Sequence, residues 1–532
     1  MELTKIAEES ARGSFSLIVG TAASTVISAV AVIFIARLLG PSGYGLYTLA
    51  FVVPTLFAAI ADFGLSPALN RYAASLRSQR KYSKLADMIR SGFIFELAAG
   101  ATVCLLAFAL SGQLAAFALQ RQDIGQLVGL ASVMIIFQVL FTFSSAAFVG
   151  LDRMGLSAIM MVLRDATRAI ISPLLIVVGF GVAGAIGGQI AGWTLASVLG
   201  VTILLTSRQT LREMPSVVNH EKGMSADIET MMRYGVPLYI GALVTAMITQ
   251  YQNIVLAFFA SNAEIGNYVA AVNFGALIGI LATPVATALF PAFSKLDLQT
   301  RREELQRMFD YSVKYTTLLI IPVAVLVAAL SRDLVRAVFG TAYSSAAMFL
   351  AIYVATFLLT GIGSQVIGAF LNGVGRTKET LKIALVQLAV FLPAAPVAAW
   401  LYGVPGLIVA LILSSLVSTA FGLRLATRKY MMHVHLKDTA GSLAAALLSA
   451  APVLPLIYYS RLPAFANVFL GAFIYLAAYL TLAPVFKAVK RTDLEILAPI
   501  LNQIRILRPA TAMIFAYEAR LLNMLERNIS PT

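Results

Sequence analysis

The sequence predicts an all-α integral membrane protein with about fourteen transmembrane helices, and three observations lead there. Apolar residues make up 59% of the 532 and charged residues only 12%, where a soluble domain carries about a quarter charged. The apolar residues fall in runs of about 20, the length that crosses a bilayer core. The basic residues collect on alternate sides of those runs.

The spans are read as 14–36, 44–66, 92–112, 124–150, 156–180, 183–206, 234–259, 263–291, 313–331, 345–372, 383–401, 404–423, 439–459 and 462–486. The short gaps after 180 and 401 predict tight helical hairpins. With the N-terminus in the cytoplasm, the inner segments hold 31 of the 39 Lys and Arg. The outer loops hold Arg37, Arg121, Arg332, Arg336 and Arg461, and Arg164, Arg168 and Lys314 lie within spans. This imbalance predicts cytoplasmic termini and a multi-pass protein of the plasma or inner membrane. The polar start and full-length first span predict no cleavable signal.

The same placement of charge explains the net +14 without nucleic acid as a partner. A lone Cys104 excludes a disulfide scaffold. After Phe486 the composition changes to two amphipathic helices, around 493–508 and 511–528, broken at Pro509. A headgroup-plane position and a partner surface are both open to this tail.

Two halves of the chain overlay. Gly45 and Tyr47, opening the second span, correspond to Gly266 and Tyr268, opening the eighth, at an offset of 221. Basic linkers follow both, with Arg77, Arg80, Lys81 and Lys84 in one and Lys295, Arg301, Arg302 and Arg307 in the other. Gly150-Leu151-Asp152-Arg153 corresponds to Gly373-Val374-Gly375-Arg376. The repeat is six spans, an even number, so the halves are parallel repeats of the kind that frame a transport cavity. The expected organisation is a six-helix lobe over 1–230, a second over 231–430, two extra helices over 431–486 and a cytoplasmic tail over 487–532.

The run Ile35-Ala36-Arg37-Leu38-Leu39-Gly40-Pro41-Ser42-Gly43-Tyr44-Gly45-Leu46-Tyr47 resembles the first-to-second helix signature of Wzx-type polysaccharide flippases. Ala61-Asp62-Phe63-Gly64-Leu65 with Arg71, and the echo Ile265-Gly266-Asn267-Tyr268, are similar to the same family, a branch of the multidrug/oligosaccharidyl-lipid/polysaccharide exporter superfamily. The resemblance reaches to about residue 486. It implies two six-helix lobes plus two helices, and flipping of a polyprenyl-pyrophosphate-linked oligosaccharide. The family often carries an acidic residue early in the seventh helix, where this chain has Gln252-Asn253.

Charges inside spans are costly, so they are the first functional candidates. Arg164 and Arg168 share one face of the fifth span, continued by Ser172. Arg168 lies about 18 Å along that span, too deep to snorkel easily. A pyrophosphate or acidic sugar would answer the pair by charge-assisted hydrogen bonds; a structural ion pair with Asp165, Asp62 or Glu96 is the alternative. Asp62, Glu96 and Asp165 are candidates for ion coupling, against pairing of Asp62 and Glu96 with Arg71 or Arg90. Lys314 sits at a span end, where snorkelling is the default. The seventh span carries a polar stripe of Thr245, Thr249, Gln250, Gln252 and Asn253, suited to sugar hydroxyls or to interhelical bonding. Gly188-x-x-x-Gly192 and Gly275-x-x-x-Gly279 predict close helix packing.

The resulting expectation is a flippase working by alternating access in surface polysaccharide biosynthesis. It is not an enzyme and uses no cofactor or metal. Its partners are the lipid-linked glycan, membrane lipid and, as candidates, glycan assembly enzymes. A flippase for the lipid II-type peptidoglycan precursor shares the pyrophosphate and stays open. A cation-coupled multidrug exporter expects an acidic cavity. A polysaccharide polymerase or ligase expects a long outer loop with catalytic residues, and the longest outer loop has about a dozen residues.

Overall fold

A computed structural model describes residues 2–206, 223–294, 302–501 and 508–529. Among them every element is helical. The first helices are α1 (Glu2–Ala61), α2 (Leu65–Ser78), α3 (Tyr82–Ala109), α4 (Ser111–Leu119), α5 (Gly125–Ser132) and α6 (Met134–Gly150). Then come α7 (Met154–Leu175), α8 (Gly181–Thr206), α9 (Met224–Phe259), α10 (Asn262–Ser294) and α11 (Arg302–Ala329). The remainder are α12 (Ser331–Val338), α13 (Ser344–Tyr353), α14 (Ser364–Gly373), α15 (Thr377–Tyr430), α16 (Leu436–Ala450), α17 (Leu454–Tyr459), α18 (Ala464–Val485), α19 (Arg491–Leu501) and α20 (Arg508–Ile529). Residues 207–222, the basic linker residues Lys295 and Arg301, and the Thr245 side chain lie outside the described residues.

Nine helical segments among the described residues are long and apolar enough to cross a membrane. Three of them, 47 to 54 residues long, are hairpins rather than rods. In α15 the Gln387 amide donates to Ser415 Oγ at 3.1 Å, 28 residues on. A straight helix would set those residues about 42 Å apart. The chain turns at Gly403, whose φ of 62° a side chain rarely adopts. Gly179 and Gly181 turn α7 into α8, and Gly40 breaks α1, with Pro41 opening its second leg. Each of these hairpins holds two of the spans that the sequence predicts.

In lipid, burying an apolar side chain against another helix gains little, because the tails are equally apolar; close packing of small residues has to hold the helices instead. Gly192 and Gly188 do this for α7 and α8: a methyl on Gly192 would collide with the Arg164 carbonyl oxygen, and one on Gly188 with Ser172. Gly275 packs on the Tyr353 ring, while the space beside Gly279 is open. The outward surface is correspondingly apolar, with Phe117, Val177 and Phe473 exposed. Trp400, Tyr402, Tyr458 and Tyr459 stand exposed at helix ends, where aromatic side chains mark a membrane interface.

The chain divides into two compact units, Met1–Val269 and Ala270–Thr532. The first is built around Leu65, Leu69, Met88, Phe143, Phe148, Met160 and Met231. It also contains a reciprocal crossing. A methyl on Gly45 would strike the Asn262 carbonyl oxygen, and one on Gly266 the Pro41 carbonyl oxygen. The two glycines that correspond by sequence thus face each other, each against the residue four before the other, as a local twofold requires. The second unit packs Phe309, Phe370 and Tyr430 in one cluster and Val325, Leu330, Tyr475 and Tyr479 in another.

The tail helices α19 and α20 fold back on the second unit. Tyr517 shares a hydrogen bond with Thr481 of α18, and Asp493 and Glu518 are buried. Pro509 sits in the first turn of α20, where its missing N–H costs nothing. Gly192→Ile is expected to destabilise the protein by about 1–3 kcal/mol through overpacking of the α7–α8 hairpin. Thermal unfolding in detergent measures this, and an unchanged midpoint would mean that α8 does not lie on α7.

Candidate functional site

The site in the first unit starts from the α7–α8 hairpin. Because Gly188 and Gly192 let the backbones touch, the intervening Gln189 is brought against α7. Arg168 donates from Nη1 to Gln189 Oε1 at 3.2 Å and from Nη2 to Ser28 Oγ at 2.8 Å and the Ser28 carbonyl at 3.1 Å. Tyr47 Oη also donates to Gln189 Oε1, at 3.4 Å. Ser28 and Tyr47 lie on the two legs of α1, so the break at Gly40 brings Ser28 to Arg168 and Tyr47 to the Gln189 that Arg168 also engages.

Arg164, one turn earlier, is answered differently. It donates to both Asp165 oxygens, at 3.1 and 2.8 Å, and lies over the Trp193 ring at 4.7 Å and the Phe141 ring at 5.3 Å. Asp165 is buried and also accepts from Ser24. Arg164 is therefore a neutralised cation. Among the described residues, no carboxylate reaches ion-pair distance of Arg168. Its Nε–H is buried with no acceptor, a costly state for a charged donor. The two arginines that the sequence pairs as equals are thus one structural ion pair and one cation without counter-charge.

The other candidates separate. Among the described residues neither Asp62 nor Glu96 pairs with Arg71 or Arg90: Asp62 accepts from the Ser66 hydroxyl, and Glu96 is buried with no hydrogen-bond partner on either oxygen. Arg71 lies over the Tyr234 ring at 4.1 Å. On α9, Asn253 donates to Gln250 at 3.3 Å, Gln252 accepts from Tyr268 Oη at 2.9 Å, and Thr249 is exposed. No group of three or more His, Cys, Asp or Glu among the described residues is arranged to hold a metal.

The second unit contains a charged cluster that sequence reasoning missed. Lys314 does not snorkel: it pairs with Asp493 at 2.5 Å and faces Asp438 at 3.9 Å. Lys490 completes the chain with Asp438 at 2.8 Å. The tail is thereby tied to α11 and α16. Lys314 at a span end and Asp493 in the tail are 179 residues apart, so only the fold reveals the pair. These groups border a cavity of about 310 Å³ with Arg307, Asp310 and His435.

The fold is shared with multi-span membrane proteins of known structure. It superposes on the lipid II flippase MurJ in an inward closed conformation (TM-score 0.68, 16% identity, covering 88% of this chain and 98% of that one). It also superposes on an inward-facing MATE-family multidrug transporter of the MOP superfamily (TM-score 0.66, 16% identity, 78% and 98%). The chain belongs to the polysaccharide biosynthesis protein family, whose model matches residues 10–297. Curated relatives include the lipopolysaccharide biosynthesis protein WzxC of Escherichia coli K12, 23% identical over 394 residues (72% of this chain, 74% of the relative). The probable low-salt glycan biosynthesis flippase Agl15 of Haloferax volcanii is 20% identical over 484 residues (91% and 97%).

Burial, with the Asp493 carboxylate beside it, pushes the Glu518 carboxyl up to about 7. The docked tail therefore keeps a proton that a free tail has already lost. Docking should weaken as pH rises from the ordinary carboxylate range through about 7, and above that the full cost of the buried charge remains. Hydrogen-exchange protection factors of α20 should fall across this window. They should become independent of pH in Glu518→Gln.

Proposed function

We propose that the protein flips a polyprenyl-pyrophosphate-linked oligosaccharide from the cytoplasmic to the outer leaflet of the plasma or inner membrane, in surface polysaccharide biosynthesis. The observation that carries this reading is Arg168: a cation inside a membrane helix bundle, positioned by Ser28 and Gln189, with no carboxylate partner among the described residues. Such a group stabilises an anion that arrives, and a pyrophosphate offers several acceptors in reach of a planar guanidinium. Arg164, already neutralised by Asp165, positions the α7 face. Family membership and the names of its relatives support the same substrate class.

In this reading the six-helix lobes over 1–230 and 231–430 rock to expose the cation to each side in turn. The termini lie in the cytoplasm, and the isoprenoid tail stays in lipid. Thr249, Gln250, Gln252 and Asn253 of α9 supply hydrogen bonds to sugar hydroxyls, with Gln252 exchanging its Tyr268 partner for substrate. Glycan assembly enzymes deliver the substrate. A cation exporter is less favoured, because Arg168 carries a positive charge with no carboxylate partner among the described residues, whereas a cation substrate calls for a negative one.

The test is transbilayer movement of a fluorescent polyprenyl-pyrophosphate oligosaccharide in proteoliposomes, followed by quencher accessibility. Arg168→Ala should slow movement at least ~10-fold, the equivalent of losing about 1.5–3 kcal/mol of charged hydrogen bonding. Arg168→Lys should recover part of it. Arg164→Ala should act mainly on stability. Movement unaffected by Arg168→Ala would remove the site from the pathway, and no movement of any pyrophosphate-linked glycan would contradict the function.

A further inference from the structure

The tail helix α20 has two faces, and only one of them is buried on the protein. Glu518 and Leu522, one turn apart, lie on that side, and both are buried. Met513, Tyr517, Arg520 and Met524 recur at helical spacing and form one stripe on another side. All four are exposed, Met513 to 77% and Met524 to 58%. Two exposed methionines on a helix whose other side is packed leave apolar surface that water does not stabilise.

What covers this stripe follows from where α20 sits. The Tyr517 hydroxyl shares a hydrogen bond of 2.9 Å with the Thr481 hydroxyl of α18. That helix is 22 residues long, apolar enough to cross a membrane, and ends at Val485. Thr481 stands about one turn before that end, so it lies about 6 Å inside it. Exposed apolar side chains run along α18 from Phe469 and Phe473 through Leu476 to Val485 and Phe486. The tail helix is thus pinned to a membrane-crossing helix at the depth where hydrocarbon gives way to headgroups. It is held from the other side as well. Arg491 of α19 reaches Asn523 Oδ1 at 3.5 Å, and Asp493 in the first turn of α19 pairs with Lys314 of α11.

The stripe has the composition of a helix that lies in a membrane interface. It carries two flexible apolar side chains and a tyrosine with a polar tip. Its arginine is long enough to keep its charge at lipid phosphates while its stem lies on acyl chains. A protein partner fits it poorly, because a stable protein interface takes about 20–30 residues a side and this is one narrow row on one helix.

We propose that α20 docks the second unit onto the leaflet at which α18 ends, with its Met513–Met524 stripe at the boundary of headgroups and acyl chains and Arg520 at the lipid phosphates. The occupant is the lipid surface itself, favoured where that leaflet is anionic. The opposite face of α20 packs on the unit. Beside it, Asp493 pairs with Lys314 and Lys490 with Asp438, so the leaflet holds α11 and α16 through the tail. This anchor is independent of what the protein transports.

The experiment places single spin labels at Met513→Cys, Met524→Cys and Ala519→Cys in a Cys104→Ser background, Ala519 being exposed away from the stripe. The full chain is reconstituted in phosphatidylcholine vesicles with and without phosphatidylglycerol. Power-saturation EPR then measures collision of each label with oxygen, which concentrates in lipid, and with a water-soluble nickel chelate. Oxygen collisions should exceed nickel collisions at Met513 and Met524, and the order should reverse at Ala519. Arg520→Gln should lower the oxygen-to-nickel ratio at Met513 in the anionic vesicles to its value in phosphatidylcholine alone; a ratio left unchanged would overturn the contact with anionic lipid. Equal ratios at all three positions would overturn the proposal, because no face of α20 would then be singled out. Labels at Met513 and Met524 closed to both reagents would overturn it too, by placing the stripe against protein, whether a second copy or another chain.

Discussion

A charge on an apolar helix has to be answered from within the protein, because lipid offers neither water nor counter-ions. Three ionisable groups of the first unit, Arg164, Arg168 and Glu96, meet this constraint in different ways. Arg164 has a carboxylate and two aromatic faces. Arg168 has neutral oxygens only. Glu96 is fully buried, and neither of its oxygens has a hydrogen-bond partner. A neutralised arginine is architecture, whereas an arginine held by hydroxyl and amide oxygens retains its charge for a visitor. That difference is set by Asp165, which adjoins Arg164 and pairs with it, and which does not reach Arg168.

Glycine makes the arrangement possible. Helices in lipid approach closely only where side chains are absent, and polar side chains meet only where helices approach closely. Gln189 reaches Arg168 because Gly188 and Gly192 bring α8 onto α7. Tyr47 and Ser28 converge because α1 breaks at Gly40. The reciprocal Gly45–Gly266 crossing and the close approach of Gly64 to Gly235 are further backbone contacts in the same unit. Both belong to the second leg of α1 and its turn, so that leg meets α10 at one end and α9 at the other.

Much of this was legible in the sequence, for a physical reason. Membrane-length apolar runs with short gaps after 180 and 401 are one-dimensional signals, and they become helices and hairpins directly. Intramembrane charges are rare enough that Arg164, Arg168, Asp62, Glu96 and Asp165 stood out by position alone. What the sequence left open was partnership. Asp165 adjoins Arg164, yet nothing local says that it leaves Arg168 bare. Gln189 was visible only as a polar residue inside an apolar span. Lys314 looked like a snorkelling end group because its partner Asp493 lies in a tail whose amphipathic pattern fits a membrane surface as well as a protein one. For Asp62 and Glu96 the loop arginines Arg71 and Arg90 are the plausible partners in one dimension, whereas neither pairs with them among the described residues.

The central claim is that Arg168 is a positive charge reserved for the pyrophosphate of a lipid-linked glycan. The most direct measurement is binding to the purified protein by native mass spectrometry, comparing a polyprenyl-pyrophosphate oligosaccharide with the same glycan on an uncharged polyprenyl ether. The account predicts preference for the pyrophosphate lipid in the wild type, and loss of that preference, with the ether unaffected, in Arg168→Ala. Equal binding of the two lipids by the wild type, or an unchanged preference in Arg168→Ala, would contradict it.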